Sequence, residues 1–481
     1  MPFDDLTQFL QAASDAGELE RVGVELSPRE EIAAVTQEIC REFRDQSPLI
    51  LFEHPSRSSM PVATNLLGHR QRFLRATGAS DLDELIARLQ AALNPFPAGR
   101  DWKFGLGGGP TLDRGRFLPR VIRRGACQQV IKLGKDLDLG ELPLLQSWNG
   151  ETHPAITSGL VITESPDGRP SVELVPAAML DRETLALHWQ PSHVGGTLWR
   201  QARLENRPFP VAIALGGDPL LGYVASLPLP RPLEPWVFAG MLRNESVNLI
   251  RARSVELNVP ADAEIILEGY IDPAAGSASG CVAGPDGLLV ARSQLPVLRL
   301  SAITHRANPI FPARVQGFDF QEEAVTGLLT ERLLLSMLKL INPHAVDLHL
   351  PACGNHRQVL FVGSNCDDPS VVRQLLQAAG SLPLASAAGI FVAVGPQVDL
   401  RATDAVWREV ALSVSGSGRG DSALSLNVSQ QSTGQLFIDA TRTGAAGGLA
   451  RASEEVLARI AERLGSTSWD AAADAVLAPP V

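Results

Sequence analysis

Cysteine is scarce and poorly placed for cross-linking. The 481 residues hold five, Cys40, Cys127, Cys281, Cys353 and Cys366. The number is odd, the spacings are wide and no C-x-x-C occurs, which argues against a disulfide framework or a zinc site. Basic tracts are missing too. A net charge of −11 argues against nucleic acid and against an anionic membrane surface. No apolar run reaches the roughly 18 residues that a membrane helix needs. The opening MPFDDLTQFL lacks a charged n-region followed by an apolar stretch, so no signal peptide is expected. These absences together predict a cytoplasmic protein in a reducing compartment.

What is present is ordinary globular material, 45% hydrophobic and 20% charged. The chain is too long for one core, and the length predicts two to four domains. Leu6, Phe9, Leu10 and Ala13 repeat at helical spacing with Gly17 as a stop. A second helix is predicted from about Pro28 to Phe43, a buried strand over Leu49–Phe52 and a helix over Asp81–Leu93. Pro95, Pro97 and the glycines of FGLGGGP mark a linker. From about Arg116 to Gln316, short β-rich runs alternate with turn clusters: Gln129–Leu133, Ser158–Thr163, Pro210–Leu215, Val247–Val255, Glu264–Glu268 and Val297–Thr304. That pattern predicts a barrel or sandwich core with inserted helices. A leucine-rich helix over Glu322–Leu340 connects it to an α/β unit, with strands at Gln358–Val362 and Gly389–Val394 around a helix at Pro369–Ala379. Ala450–Leu464 reads as an amphipathic helix that docks on a partner subunit or on its own domain.

Few motifs stand out from the residues alone. FGLGGGP lacks the strand, the helix and the Lys-Ser/Thr that a phosphate loop requires. The glycine-rich GSGRG reads as a mobile loop. His344, His349 and His356 are close in sequence, but prolines interrupt them and no i, i+4 pair exists, so separate strand-end and loop roles are expected. His193 and Glu234 are ligand types suited to Mn²⁺ or Mg²⁺, although spacing alone does not pair them.

Several blocks carry a family resemblance. GLVITESPDGRPSVELVPAAMLDRETLALHWQPSH (159–193), PFPVAIALGGDP (208–219), LEPWVFAGML (233–242), VELNVPADAEIILEGYI (255–271) and AITHRANPIF (302–311) are similar to the UbiD family of decarboxylases. LFEHPS, PVATNLLGHRQRF and VDLHLPACG fit as well. The resemblance implies an α/β (α+β) fold of four parts: an N-terminal α/β domain (1–115), a split β-barrel flavin domain (116–318), a connecting helix (319–341) and a C-terminal α/β oligomerisation domain (342–481). It implies non-oxidative decarboxylation, or the reverse, of an aromatic, heteroaromatic or α,β-unsaturated acid. The implied cofactor is prenylated FMN, a 1,3-dipole that adds across the substrate double bond, its phosphate held by Mn²⁺ or another divalent metal and by K⁺. Homodimers and homohexamers are the implied assemblies.

Carried over residue by residue, the resemblance implies a metal set of His193, Glu234 and Ser171, the serine standing where the family has asparagine. It implies cofactor contacts from Ser171, Val175, Pro176, His193, Ser226, Leu227, Pro228, Glu234 and Gln435, with Gln435 in place of a lysine. The family arginine that grips the substrate carboxylate falls on Pro176, which cannot form a bidentate pair. The two family acids fall on Ser279 and Gly284. Asp286 is the candidate replacement acid, with a solvated turn in GPDG as the alternative. Glu268 is expected to cap local structure, and His188 either lines the pocket or packs. Two functions follow: a divergent carboxy-lyase, its proton delivered by a substitute acid or an ordered water, or a catalytically inactive subunit paired with a catalytic paralogue in a hetero-oligomer. A third, an enzyme using plain FMN, has no residue that singles it out.

Overall fold

The computed structural model describes residues 3, 5–93, 114–191, 193–227, 229, 233–284, 287–317, 320–382, 388–415, 427–430 and 435–441. The FGLGGGP and GSGRG segments, the expected Ala450–Leu464 helix, Pro228 and Asp286 lie outside the described residues. Helix Leu6–Asp15 buries Leu6, Phe9, Leu10 and Ala13, one face at helical spacing, and Asp5 caps it by accepting from the Gln8 amide. Strand Leu19–Val22 runs parallel to Leu49–Phe52, which pairs antiparallel with Val62–Thr64. The fourth strand of this sheet, Phe311–Pro312, comes from the end of the central region and lies parallel to Val62–Thr64.

The central region is built on a nine-stranded sheet that curls. Its order runs Ala155–Ile156, Ala177–Met179, Thr184–Leu187, Val297–His305, Ile265–Ile271, Phe209–Leu215, Leu160–Glu164 and Pro170–Leu174, with Val130–Leu133 added against Val297–His305. Every pairing is antiparallel. Phe209–Leu215 shows why it holds a central place. Its period of two sends Val211, Ile213 and Leu215 into one apolar cluster and Ala212 and Ala214 into another. Both faces are buried, so the strand is written as an unbroken apolar run.

Helices Val194–Leu204, Pro219–Ala225 and Pro235–Arg243 are inserted between the strands. Asp218 caps the second, accepting from the Leu220 amide at 2.9 Å, while its other oxygen pairs with Arg243 at 2.7 Å. Pro219 and Pro235 occupy first-turn positions where no amide donor is needed. A separate two-stranded hairpin, Ala278–Ala283 with Leu289–Leu295, packs Val282 and Leu295 against Ala155, Ala178 and Ala186.

Helix Gln321–Ile341 leads to the C-terminal sheet, ordered Ala345–His349, Val359–Ser364, Ile390–Val394, Leu436–Ala440 and Asn427–Gln430. Its inner pairings are parallel and its outer ones antiparallel. Glu323 near the start of the helix is 5% exposed and holds two cations, Arg314 of the central region and Arg357 of the C-terminal region. Desolvation opposes that charge, yet the two guanidiniums keep the Glu323 carboxyl below its ordinary range.

Candidate active-site cleft

A cleft of about 1040 Å³ opens where strand Pro170–Leu174, the starts of helices Val194–Leu204 and Pro235–Arg243, and the Ala278–Leu295 hairpin meet. Its volume lies at the upper end of the roughly 300–1,000 Å³ usual for small-molecule sites. Ser171, Pro176, His188, His193, Ser226, Leu227, Glu234 and Gly284 all line it. The sequence reading therefore brought together most of one site. Val175 is different: it is fully buried in the apolar cluster that includes Ile156 and Ile213, because the chain turns it away from the cleft. Gln435 is a second correction. It precedes strand Leu436–Ala440, donates to the Gly380 carbonyl at 3.4 Å, and does not line the cleft. Ser279 is exposed on the outer face of the hairpin.

One end of the cleft is filled by the chain's own bonds. Ser171 and Glu173 share a face of their strand by its period of two, and the Ser171 hydroxyl bonds the Glu173 carboxylate. Glu173 accepts from the amides of Val194 at 2.7 Å and Gly195 at 2.9 Å, the first turn of the Val194–Leu204 helix. A Cβ on Gly195 would lie 3.0 Å from that carboxylate oxygen, so glycine permits the close approach. The carboxylate thus sits on the positive end of the helix. Burial still pushes the Glu173 carboxyl up, against the pull of the two amides.

His193 is the N-cap residue of the same helix, and its Nδ1 accepts from the Gln190 amide at 3.0 Å. In the neutral ring the proton then resides on Nε2, so neither nitrogen offers a lone pair. Metal-ligating histidines do the reverse and donate through the second nitrogen. Glu234 caps the Pro235–Arg243 helix with its backbone only, and its side chain makes no capping bond. Of the expected metal set, Ser171 and His193 are therefore committed elsewhere. Among the described residues no cluster of three or more His, Cys, Asp or Glu could hold a metal ion. The arrangement does not fit a divalent cation. It does not fit a phosphate at the Val194–Leu204 helix either, since Glu173 holds those amides.

The other end is unfinished. His188 is 3% exposed, and neither ring nitrogen has a partner. Gln316, 7% exposed, leaves its Oε1 unpaired on the same wall. Arg292 projects from the hairpin into the cleft, and no carboxylate among the described residues pairs with it. The other arginines of the wall are neutralised: Arg169 by Asp167 at 3.0 Å, Arg314 and Arg357 by Glu323. Burial first, and the Arg292 charge second, hold both His188 and His193 down to about 4, so both rings are neutral near pH 7. This end therefore presents unpaired polar groups to the cleft.

Three family models match in succession: the N-terminal domain of 3-octaprenyl-4-hydroxybenzoate carboxy-lyase over residues 10–89, its Rift-related domain over 120–318 and its C-terminal domain over 324–417. The chain belongs to the UbiD family. An uncharacterised protein of Aquifex aeolicus is 34% identical over 363 residues, 75% of this chain and 74% of its own. The UbiD-class enzyme HmfF of Pelotomaculum thermopropionicum, in an evolved dimeric form with prFMN, has the same fold, with a TM-score of 0.75 at 22% identity over 95% of this chain and 98% of that one. Vanillic acid decarboxylase of Sedimentibacter hydroxybenzoicus in closed form gives 0.76 at 21% identity, covering 96% and 99%. The curled central sheet and the three-part architecture are those of UbiD proteins.

Against that family the departures have physical consequences. Pro176 supplies no guanidinium, and its carbonyl instead accepts the His188 amide at 2.9 Å. Gly284 supplies no acid and uses its amide on the Leu288 carbonyl at 2.8 Å. Glu268 is fully buried and accepts from the amides of Arg253 and Ser254, a structural cap as expected. His344, His349 and His356 are spent separately on Asn365, Glu331 and the Leu350 carbonyl. Sequence reasoning missed Glu173, Arg292 and Gln316. The strand alternation that pairs Ser171 with Glu173, and Val290 with Arg292, was the available signal.

Proposed function

We propose that this chain is a divergent UbiD-type carboxy-lyase acting on an aromatic, heteroaromatic or α,β-unsaturated carboxylic acid, or its thioester, bound in the cleft with a flavin. The observation that carries this reading is the retained cleft, about 1040 Å³ and walled by residues at the family's positions. Prenylated FMN, when bound, would supply the group that adds to the substrate double bond. Gln316 would meet a polar ring edge, while Leu227 and Val282 would exclude water. No step is assigned to a divalent metal or to K⁺, because the donor set does not fit one. Reprotonation falls to water at the cleft mouth or to Asp286. A homodimer or homohexamer, and the division at residues 115, 318 and 341, belong to the same reading.

A second reading is favoured by one specific feature. Pro176, Ser279 and Gly284 remove the arginine and both acids together, as expected of a catalytically inactive partner for an active paralogue. Expression with a flavin prenyltransferase separates the two. Bound prenylated flavin by mass and absorbance, with CO₂ release or solvent deuterium exchange from a panel of aryl and acrylic acids, supports the enzyme. Folded protein that stays free of flavin and inert to every acid supports the inactive subunit.

A further inference from the structure

The hairpin end of the cleft has a geometry that the catalytic reading does not use. Gly280 and Arg292 are register partners across the hairpin, so their side-chain directions fall on the same face. Beneath that face lies His188: a Cβ built on Gly280 would stand 3.0 Å from its Nε2. Glycine at 280 is what lets the imidazole come up against the hairpin. The Pro176 carbonyl holds the backbone of His188 from the other side. Arg292, His188 and residue 176 therefore share one corner of the cleft.

Two unsatisfied features in one corner need an explanation. Leaving a buried polar group unpaired is costly, and both His188 nitrogens are in that state. A guanidinium with no carboxylate beside it, on a wall whose other arginines are paired, is the second. One ligand answers the guanidinium and one of the two ring nitrogens. A carboxylate accepts a bidentate fork from guanidinium and a further hydrogen bond from a neutral imidazole N–H. The planar body of the acid would then lie in the cleft between hairpin and strand.

We propose that Arg292 and His188 form the carboxylate-binding subsite of this cleft, and that Arg292, reaching in from the hairpin, does the gripping that residue 176 cannot. The carboxy-lyase reading contributes only the class of acid. Binding can be measured without flavin, metal or turnover, so failure of one leaves the other standing.

The test titrates the intact protein with sodium benzoate by calorimetry or ligand-observed NMR, with benzyl alcohol as the uncharged analogue and inorganic phosphate as competitor. Benzoate binds and benzyl alcohol does not. Arg292→Gln weakens benzoate by about 10- to 100-fold, the loss expected for charge-assisted hydrogen bonds. Arg292→Lys, which keeps the charge but not the fork, falls between. Arg299→Gln, outside the cleft and paired with Glu183 at 3.4 Å, leaves affinity unchanged. Arg292→Lys also covers the case in which Arg292→Gln fails to fold. An unmodified protein that ignores benzoate, an Arg292→Gln affinity within twofold of the original, or phosphate displacing benzoate at equal concentration each overturns the proposal. The last would assign the corner to a phosphate.

Discussion

The two ends of the cleft use similar residues and differ in bookkeeping. At the strand end, Ser171, Glu173 and His193 are polar, half or fully buried, and bonded to the protein itself. At the hairpin end, His188 and Gln316 are just as polar and have buried atoms left over, and half-exposed Arg292 has no carboxylate beside it among the described residues. The first pattern is structure and the second is unmet demand for a ligand. Polar residue type alone does not separate the two; the hydrogen-bond partners do.

The strongest way to break this contrast is to convert a satisfied cation into an unsatisfied one. Glu323 neutralises Arg314 and Arg357 on the cleft wall while buried at the start of the connecting helix. Glu323→Ala leaves Arg357 without its counter-charge and Arg314 with only Glu322 at 3.7 Å, and removal of one partner of a buried ion pair costs about 3–5 kcal/mol. Urea denaturation should show a loss of that size. A loss below about 1 kcal/mol would mean that the wall cations need no partner, and Arg292 would then signify nothing.

His188 comes next. Its folded value is held near 4 against an ordinary 6.5, so the native state binds fewer protons than the unfolded chain between those values. The His188 contribution to stability therefore rises with pH across that window and is lost as pH falls from about 6.5 toward about 4, by up to roughly 3 kcal/mol. His193 acts in the same direction. His188→Asn should flatten the rise relative to the unmodified protein, read as unfolding free energy at pH 7, 5.5 and 4.5, with Glu264, raised to about 7 by burial, acting in the opposite direction in both. An unchanged slope would mean that the ring is solvated in the native state.

At the satisfied end, Glu173→Ala removes a carboxylate from two amides at a helix start and should cost about 1–2 kcal/mol. It also frees those amides. The same variant should therefore bind phosphate or FMN more tightly than the unmodified chain, measured by flavin fluorescence. If it is as stable as the original, Glu173 is no cap.

Much of this fold was legible in the sequence because its signals are local. The leucine spacing of Glu322–Leu340 predicted helix Gln321–Ile341, and the apolar run at Leu49–Phe52 is a strand with the same limits. The family blocks located the cleft. What stayed hidden depends on non-local pairing. VARSQLPV carries no motif, and only the register that sets Arg292 opposite Gly280 brings it over His188. Likewise His193 reads as a ligand until the Gln190 amide is seen on its Nδ1. Val175 and Gln435 were assigned by alignment of motifs, whereas a one-residue change of direction decides which side of a wall a side chain faces.

The smallest expected effect is the sharpest for the contrast. Arg292 is half-exposed, pairs with no carboxylate among the described residues and lies on a hairpin outside the main sheet. A residue kept for folding would lose stability when truncated. Arg292→Ala should instead stay within about 0.5 kcal/mol of the original, as surface changes away from packed features do. Thermal melts of the ligand-free variant check this. A loss above about 1.5 kcal/mol would make Arg292 a structural residue, and the two ends of the cleft would no longer differ in kind.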